Sequence, residues 1–191
     1  MRHRTLFIAF ALLVAFTPSA EASLLRGDGS QYGAQHRLSR FVAKMKVPMP
    51  GTDVTVVLGE CPYFEGALGC VSSNTPDVVY MRSSLPAEVL YHELGHVFDL
   101  GMDPAQRDWF LSAVFKTDQP WRGAVAGEPS PAEWFADLYA ACAEWGVNYP
   151  RGLLLDGRVV PFGYVGPSYT PAAYRTACRR IKYYIPWVGF T

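Results

Sequence analysis

Neither sign of charge is in excess in this sequence. Seventeen lysines and arginines meet seventeen aspartates and glutamates in 191 residues, so the basic footprint of a nucleic-acid binder is absent and no nucleic-acid partner is expected. No collagen, coiled-coil or solenoid period runs through the chain. After residue 22 no stretch is long and apolar enough to span a bilayer, which removes a stable membrane anchor from consideration. Histidine is scarce, with four residues, and so is cysteine, also with four. What is present is the make-up of one globular domain. Apolar residues make up 50%, aromatic residues 14% and charged residues 18%, which excludes wholesale disorder. Fifteen prolines and seventeen glycines call for many fixed turns.

The first segment reads as a secretory signal. Arg2, His3 and Arg4 form a basic start, Leu6 to Phe16 is an unbroken apolar run of 11, and Ala20-Glu21-Ala22 has the small-x-small pattern of a cleavage site. Eleven residues are too few to cross ~30 Å of hydrocarbon as a helix. Cleavage after Ala22 leaves a single domain over residues 23–191, and the protein is expected outside the cell. In an oxidising compartment Cys61, Cys70, Cys142 and Cys178 suggest two disulfides. Of three possible connectivities we favour Cys61–Cys70, across a short glycine-containing loop, with Cys142–Cys178 tying two late helices. A thiolate metal site is the weaker alternative, because no pair has zinc-knuckle spacing.

Periodicity gives a coarse map. Gln31 to Lys46 reads as an amphipathic helix carrying Tyr32, Leu38, Phe41, Val42 and Met45. Val54 to Leu58 and Asp77 to Met81 read as strands, with a loop from Gly59 to Thr75 between them. Leu85 to Leu100 is a helix with Ser84 as N-cap and Gly101 at its end. Asp103-Pro104-Ala105-Gln106 opens another to about Phe115 with a capping-box pattern. Lys116 to Pro129 is a loop, and Ser130-Pro131-Ala132-Glu133 opens a helix to about Trp145. Asp156-Gly157 marks a hairpin, and Thr170-Pro171 opens a last helix to about Tyr183. Strands early and late with helices between give an α+β class. Residues Ser23 to Gly33 read as a short pro-region or a loose start.

The chemistry concentrates in His92-Glu93-Leu94-Gly95-His96. Four residues on a helix are roughly 400° of turn, so both imidazoles leave one face and can reach one Zn²⁺. Glu93, beside the first imidazole, can take a proton from metal-activated water and pass it to a leaving amine. A catalytic zinc needs a third protein ligand and an open fourth position. Glu133 is the leading candidate, with Asp137 one turn further on the same face to orient an imidazole. The competing role for Glu133 is structural, as the N3 residue of a Ser130-x-x-Glu133 capping box. Asp103 has a ready role as N-cap. Asp99 reads as an acceptor behind a metal-binding histidine or a surface residue at the helix end. A metzincin pattern fails, because Asp99 stands three residues after His96 and Met102 stands six after it. His36 reads as partly exposed surface.

His92-Glu93-Leu94-Gly95-His96 followed by Glu133-Trp134-Phe135-Ala136-Asp137 resembles a zincin of the gluzincin type, over residues 78 to 145. The resemblance implies His92, His96 and Glu133 as zinc ligands, Glu93 as general base and Asp137 as the support of a histidine. It implies a small β-sheet with the metal-binding helix beneath it. The 36 residues between His96 and Glu133 hold an extra helix and exceed the spacing of thermolysin-like enzymes; the chain looks more like a minimal zincin-like domain stapled by disulfides. By the same resemblance an extended peptide would lie along an edge strand, for which Asp77 to Met81 is the candidate. An oxyanion donor is also implied; Tyr164, Tyr169 and Tyr174 are eligible, and Tyr169 is preferred for its Gly-Pro-Ser-Tyr-Thr-Pro loop. The reading is therefore a secreted zinc-dependent endopeptidase. Its alternatives are a zinc-retaining binding or structural module and a zinc hydrolase of non-peptide amides.

Overall fold

The computed structural model describes residues 22–123, 129–148, 154–155, 158–159 and 169–183. Residues 1–21 of the expected signal segment, the expected turn at Asp156-Gly157 and Tyr164 lie outside the described residues. In chain order the elements are β1 (Leu24–Arg26), α1 (Arg37–Val42), β2 (Val54–Leu58), β3 (Gly69–Ser72), β4 (Thr75–Met81), α2 (Ala87–Leu100), α3 (Pro104–Trp109), α4 (Pro131–Trp145), β5 (Leu154–Leu155), β6 (Arg158–Val159) and α5 (Pro171–Tyr183). The class is α+β. A four-stranded sheet has the order β1-β2-β4-β3, with β1, β2 and β4 parallel and β3 antiparallel to β4. β5 and β6 pair antiparallel, as a hairpin requires.

Alternation places one face of the sheet inward. Val54, Val56, Val79 and Met81 are fully buried, as the period of two dictates. α2 covers that face with Leu90, Leu94, Val97 and Phe98, and α4 packs against α2 with Phe135, Leu138 and Tyr139. Two disulfides, Cys61–Cys70 and Cys142–Cys178, close the structure, in the expected pairing. The first pins the connection from β2 to β3, and the second joins α4 to α5.

Several expectations are corrected. The helix over Gln31–Lys46 shrinks to α1, which His36 caps: its Nδ1 accepts from the Leu38 amide at 3.3 Å. Tyr32 and Met45 nonetheless pack on the core from the flanking turns, so their apolar pattern records burial and not helix. The expected loop from Gly59 to Thr75 contains β3 and the first residue of β4. β1 pairs in register with β2, so Leu24–Arg26 belongs to the sheet rather than to a loose start. α2 begins three residues beyond Ser84, with an extended Pro86 (φ −71°, ψ 170°) at the N-cap and no side-chain capping bond. The helix opened by Asp103 widens into π-type turns over Phe110–Phe115 before Lys116 adopts a left-handed φ of 54°. There the Ser112 hydroxyl donates to the Asp108 carbonyl at 2.8 Å, taking up the acceptor of an ordinary helical bond.

Candidate metal centre

Helix contact brings the two halves of the site together. α2 and α4 approach so closely at Gly95 that a Cβ there would fall 2.7 Å from the Ala136 Cα. Ala136 stands between Glu133, one turn before it, and Asp137, next to it. The glycine inside the motif thus lets α4 present both carboxylates to the imidazoles of α2.

His92 Nε2 and His96 Nε2 lie 3.1 Å apart, and Glu133 Oε2 is 3.4 Å from each. His92 Nδ1 meets Asp137 Oδ1 at 2.8 Å. That bond puts the proton of a neutral His92 on Nδ1 and leaves the Nε2 lone pair facing His96 and Glu133. With His96 also presenting Nε2 as an acceptor, three ligand atoms converge on one point that a cation can occupy in place of the His92 proton. Ligand bonds of about 2.0–2.1 Å in a tetrahedron set neighbouring ligand atoms roughly 3.3–3.4 Å apart, which matches the observed triangle. Among the described residues His92, His96 and Glu133 form the one group able to hold a metal ion. The capping role of Glu133 is not adopted, since Ser130 makes no side-chain cap bond and the glutamate turns to the rings.

Electrostatics follow from that geometry. Burial acts to lower His92, but its bonds to Asp137 and Glu133 outweigh it and push the imidazole up to about 10 without metal. Burial acts to raise Glu133, and the two histidines overcome it, holding the carboxyl well below the usual range. Burial prevails at Asp137, which is raised despite the bond to His92.

Glu93 is 5% exposed, and burial pushes its carboxyl upward against the pull of both imidazoles. Its Oε2 is buried without a hydrogen-bond partner among the described residues. A Cβ at Gly69 would fall 2.6 Å from Glu93 Oε1, so β3 crosses directly over the carboxylate. Two cavities open along α2 on either side of that crossing. One, of about 390 Å³, includes Phe64, His96, Leu100, Arg122 and Glu133 in its lining. The other, of about 580 Å³, includes Leu68, Glu88, Val89 and Ala140. His92, Glu93 and Gly69 line both.

Other expected site residues fall elsewhere. Asp77–Met81 is not the sheet edge: β4 lies between β2 and β3, and β3 is the outer strand beside the site. Tyr169 is 2% exposed, in the core with its ring 6.1 Å from that of Phe115, and lines neither cavity. Its position lends no support to the oxyanion role expected of it, because the ring is taken up by the aromatic core. Tyr174 is buried, its hydroxyl donating to the Gly146 carbonyl. Asp103 caps α3, accepting from the Gln106 amide at 2.8 Å. Asp99 is neither on the surface nor bonded to His96. At 1% exposure it accepts from Trp121 Nε1 and Arg122 Nη2, both at 2.5 Å, and from Arg107 Nε at 3.2 Å.

No protein-family model matches the chain, and neither a curated protein nor a solved structure is significantly similar to it. The functional reading therefore rests on the residues themselves. Gly69 and Arg122 are the site residues that sequence reasoning passed over. For Gly69 the available signal was a glycine beside Cys70 in a loop closed by the expected disulfide.

Proposed function

We propose that this chain is a secreted zinc-dependent peptidase with a zincin-like fold. The observation that carries the reading is the triangle of His92, His96 and Glu133 atoms with a buried, unpartnered Glu93 oxygen beside it. His92, His96 and Glu133 would hold a divalent zinc, which would supply a Lewis acid able to polarise a carbonyl and to make water acidic enough to react near neutral pH. Asp137 fixes the His92 ring and its tautomer through Nδ1. Glu93, raised by burial, takes the proton from the attacking water and delivers it to the departing amine. β3 offers an outer backbone edge on which an extended peptide can pair. Side chains of that peptide then alternate toward the two cavities flanking Gly69.

A zinc-retaining module without turnover is less well supported. A structural zinc calls for a fourth protein ligand and has no use for an unpaired buried carboxylate. The edge strand favours peptides over other amides. Secretion draws on the signal pattern of Met1–Ala22 and on the two disulfides. The test is a peptide-library digest with metal-loaded wild type and Glu93→Gln. Cleavage by the first and none by the second is expected; equal activity in both overturns the base assignment.

A further inference from the structure

We infer that Arg122 binds a carboxylate of the substrate at the His96 end of the cleft. The inference rests on the peptidase reading and narrows its substrates to peptides with an acidic group at that position.

Arg122 lines the cavity that also holds His92, His96 and Glu133, and it is the one lysine or arginine in that lining. Its side chain is 43% exposed, yet one end is fixed: Nη2 donates to buried Asp99. Asp99 also takes bonds from Trp121 and Arg107, and Arg107 Nη2 donates to the Asp99 carbonyl at 2.7 Å. Among the described residues one carboxylate therefore faces two guanidinium groups, and one positive charge is left over. Arg107 does not line the cavity, so the surplus is presented by Arg122. A guanidinium carries five donors in a rigid fork. With Nη2 committed to Asp99, the remaining donors suit a carboxylate, at little entropic cost because the fork is already held. Glu133, the nearby acid, is engaged by the two imidazoles. The opposite end of the cleft is different: its lining includes Leu68, Val89, Ala140 and Glu88 and, among the described residues, no lysine or arginine. An acidic group is thus favoured at one end and disfavoured at the other.

The carboxylate can belong to an aspartate or glutamate side chain or to a chain terminus, and the assay separates these. Fluorogenic peptides that differ only in an internal Glu or Gln, and in a free or amidated C-terminus, are compared by kcat/KM. Zinc-loaded wild type is expected to prefer the acidic member of one pair by about tenfold or more, through KM. Arg122→Gln should bring that ratio close to one, and Arg122→Lys should recover part of it. Arg107→Gln cancels the surplus charge while Arg122 keeps its bond to Asp99, so the ratio should fall only part of the way to one; complete loss there overturns the inference. Should Arg122→Gln fail to fold, Arg122→Lys carries the test, with a severalfold fall in the ratio expected. Equal ratios in wild type, or a ratio indifferent to Arg122, overturn the inference while peptide cleavage keeps the peptidase reading. If wild type cleaves none of the peptides, they are titrated into zinc-loaded Glu93→Gln. Acidic preference that depends on Arg122 then upholds the carboxylate site and removes only the peptidase reading; no preference overturns both.

Discussion

Gly95 touches Ala136 across the helix pair: a Cβ on the glycine would meet the Ala136 Cα at 2.7 Å and its carbonyl oxygen at 3.1 Å. The obstacle is backbone, which cannot swing aside as a side chain end can. Gly95→Ala should force α2 and α4 apart at a cost of about 1–3 kcal/mol. Glu133, on the same face of α4, should retreat with the helix. The expected result is a lower denaturation midpoint together with weaker zinc binding by competition with a chromophoric chelator.

Gly69→Ala presents a different obstacle. The atom a Cβ would strike is Glu93 Oε1 at 2.6 Å, the far end of a flexible side chain. The carboxylate should be displaced while the triangle of ligands stays. Zinc content is expected to hold at the wild-type level while hydrolysis falls steeply, measured on the same preparation.

Asp137 orients the ring of His92 through a 2.8 Å bond. Loss of such a supporting carboxylate typically weakens metal affinity by about 10–100-fold. Asp137→Ala should fall in that range, read by zinc competition, with helical circular dichroism retained.

Proton linkage gives the sign of the pH dependence. Without metal, His92 is raised from 6.5 to about 10. Its contribution to the stability of the metal-free protein is therefore fully present below about 6.5 and lost as pH rises through about 10. Chelated protein should lose denaturation midpoint over that window. Zinc must displace the same proton, so its apparent affinity should fall as pH drops, with proton release on binding visible by calorimetry in buffers of different ionisation enthalpy.

The two disulfides should separate stability from activity. Cys142–Cys178 closes 36 residues and Cys61–Cys70 only 9, so by chain entropy the first contributes about 4 kcal/mol and the second about 3. Cys61 and Cys70, however, tether the strand that crosses Glu93. Replacing that pair by serine should cost less in denaturant midpoint than replacing Cys142 and Cys178, and more in peptide cleavage.

The long helices α2 and α4 were legible because their apolar faces repeat over 14 and 15 residues, and the spacing of His92 and His96 carries its own geometry. Glu133 and Asp137 were legible as a pair on one helix face. The short strands were not. Leu24–Arg26 is three residues long, and Gly69–Ser72 starts with a residue of low strand preference; partners distant in sequence make both. Sheet order is non-local in the same way, which is why Asp77–Met81 read as an edge until β3 was seen to cover it. Asp99, Arg107, Trp121 and Arg122 are joined only by the fold, so no spacing announces them. Tyr169 shows the converse, since a loop-like string of Gly, Pro and Ser said nothing about the aromatic core that takes its ring.

The central claim is that His92, His96 and Glu133 together hold one divalent ion. Zinc content per chain, measured by elemental mass spectrometry on wild type and Glu133→Ala purified side by side, tests it most directly. About one zinc per wild-type chain is expected, and substantial loss in the variant, at unchanged helical content. Mere loss of a helix cap would cost about 1 kcal/mol with zinc retained. A metal-free wild type after zinc loading, or a full complement in Glu133→Ala, would contradict it.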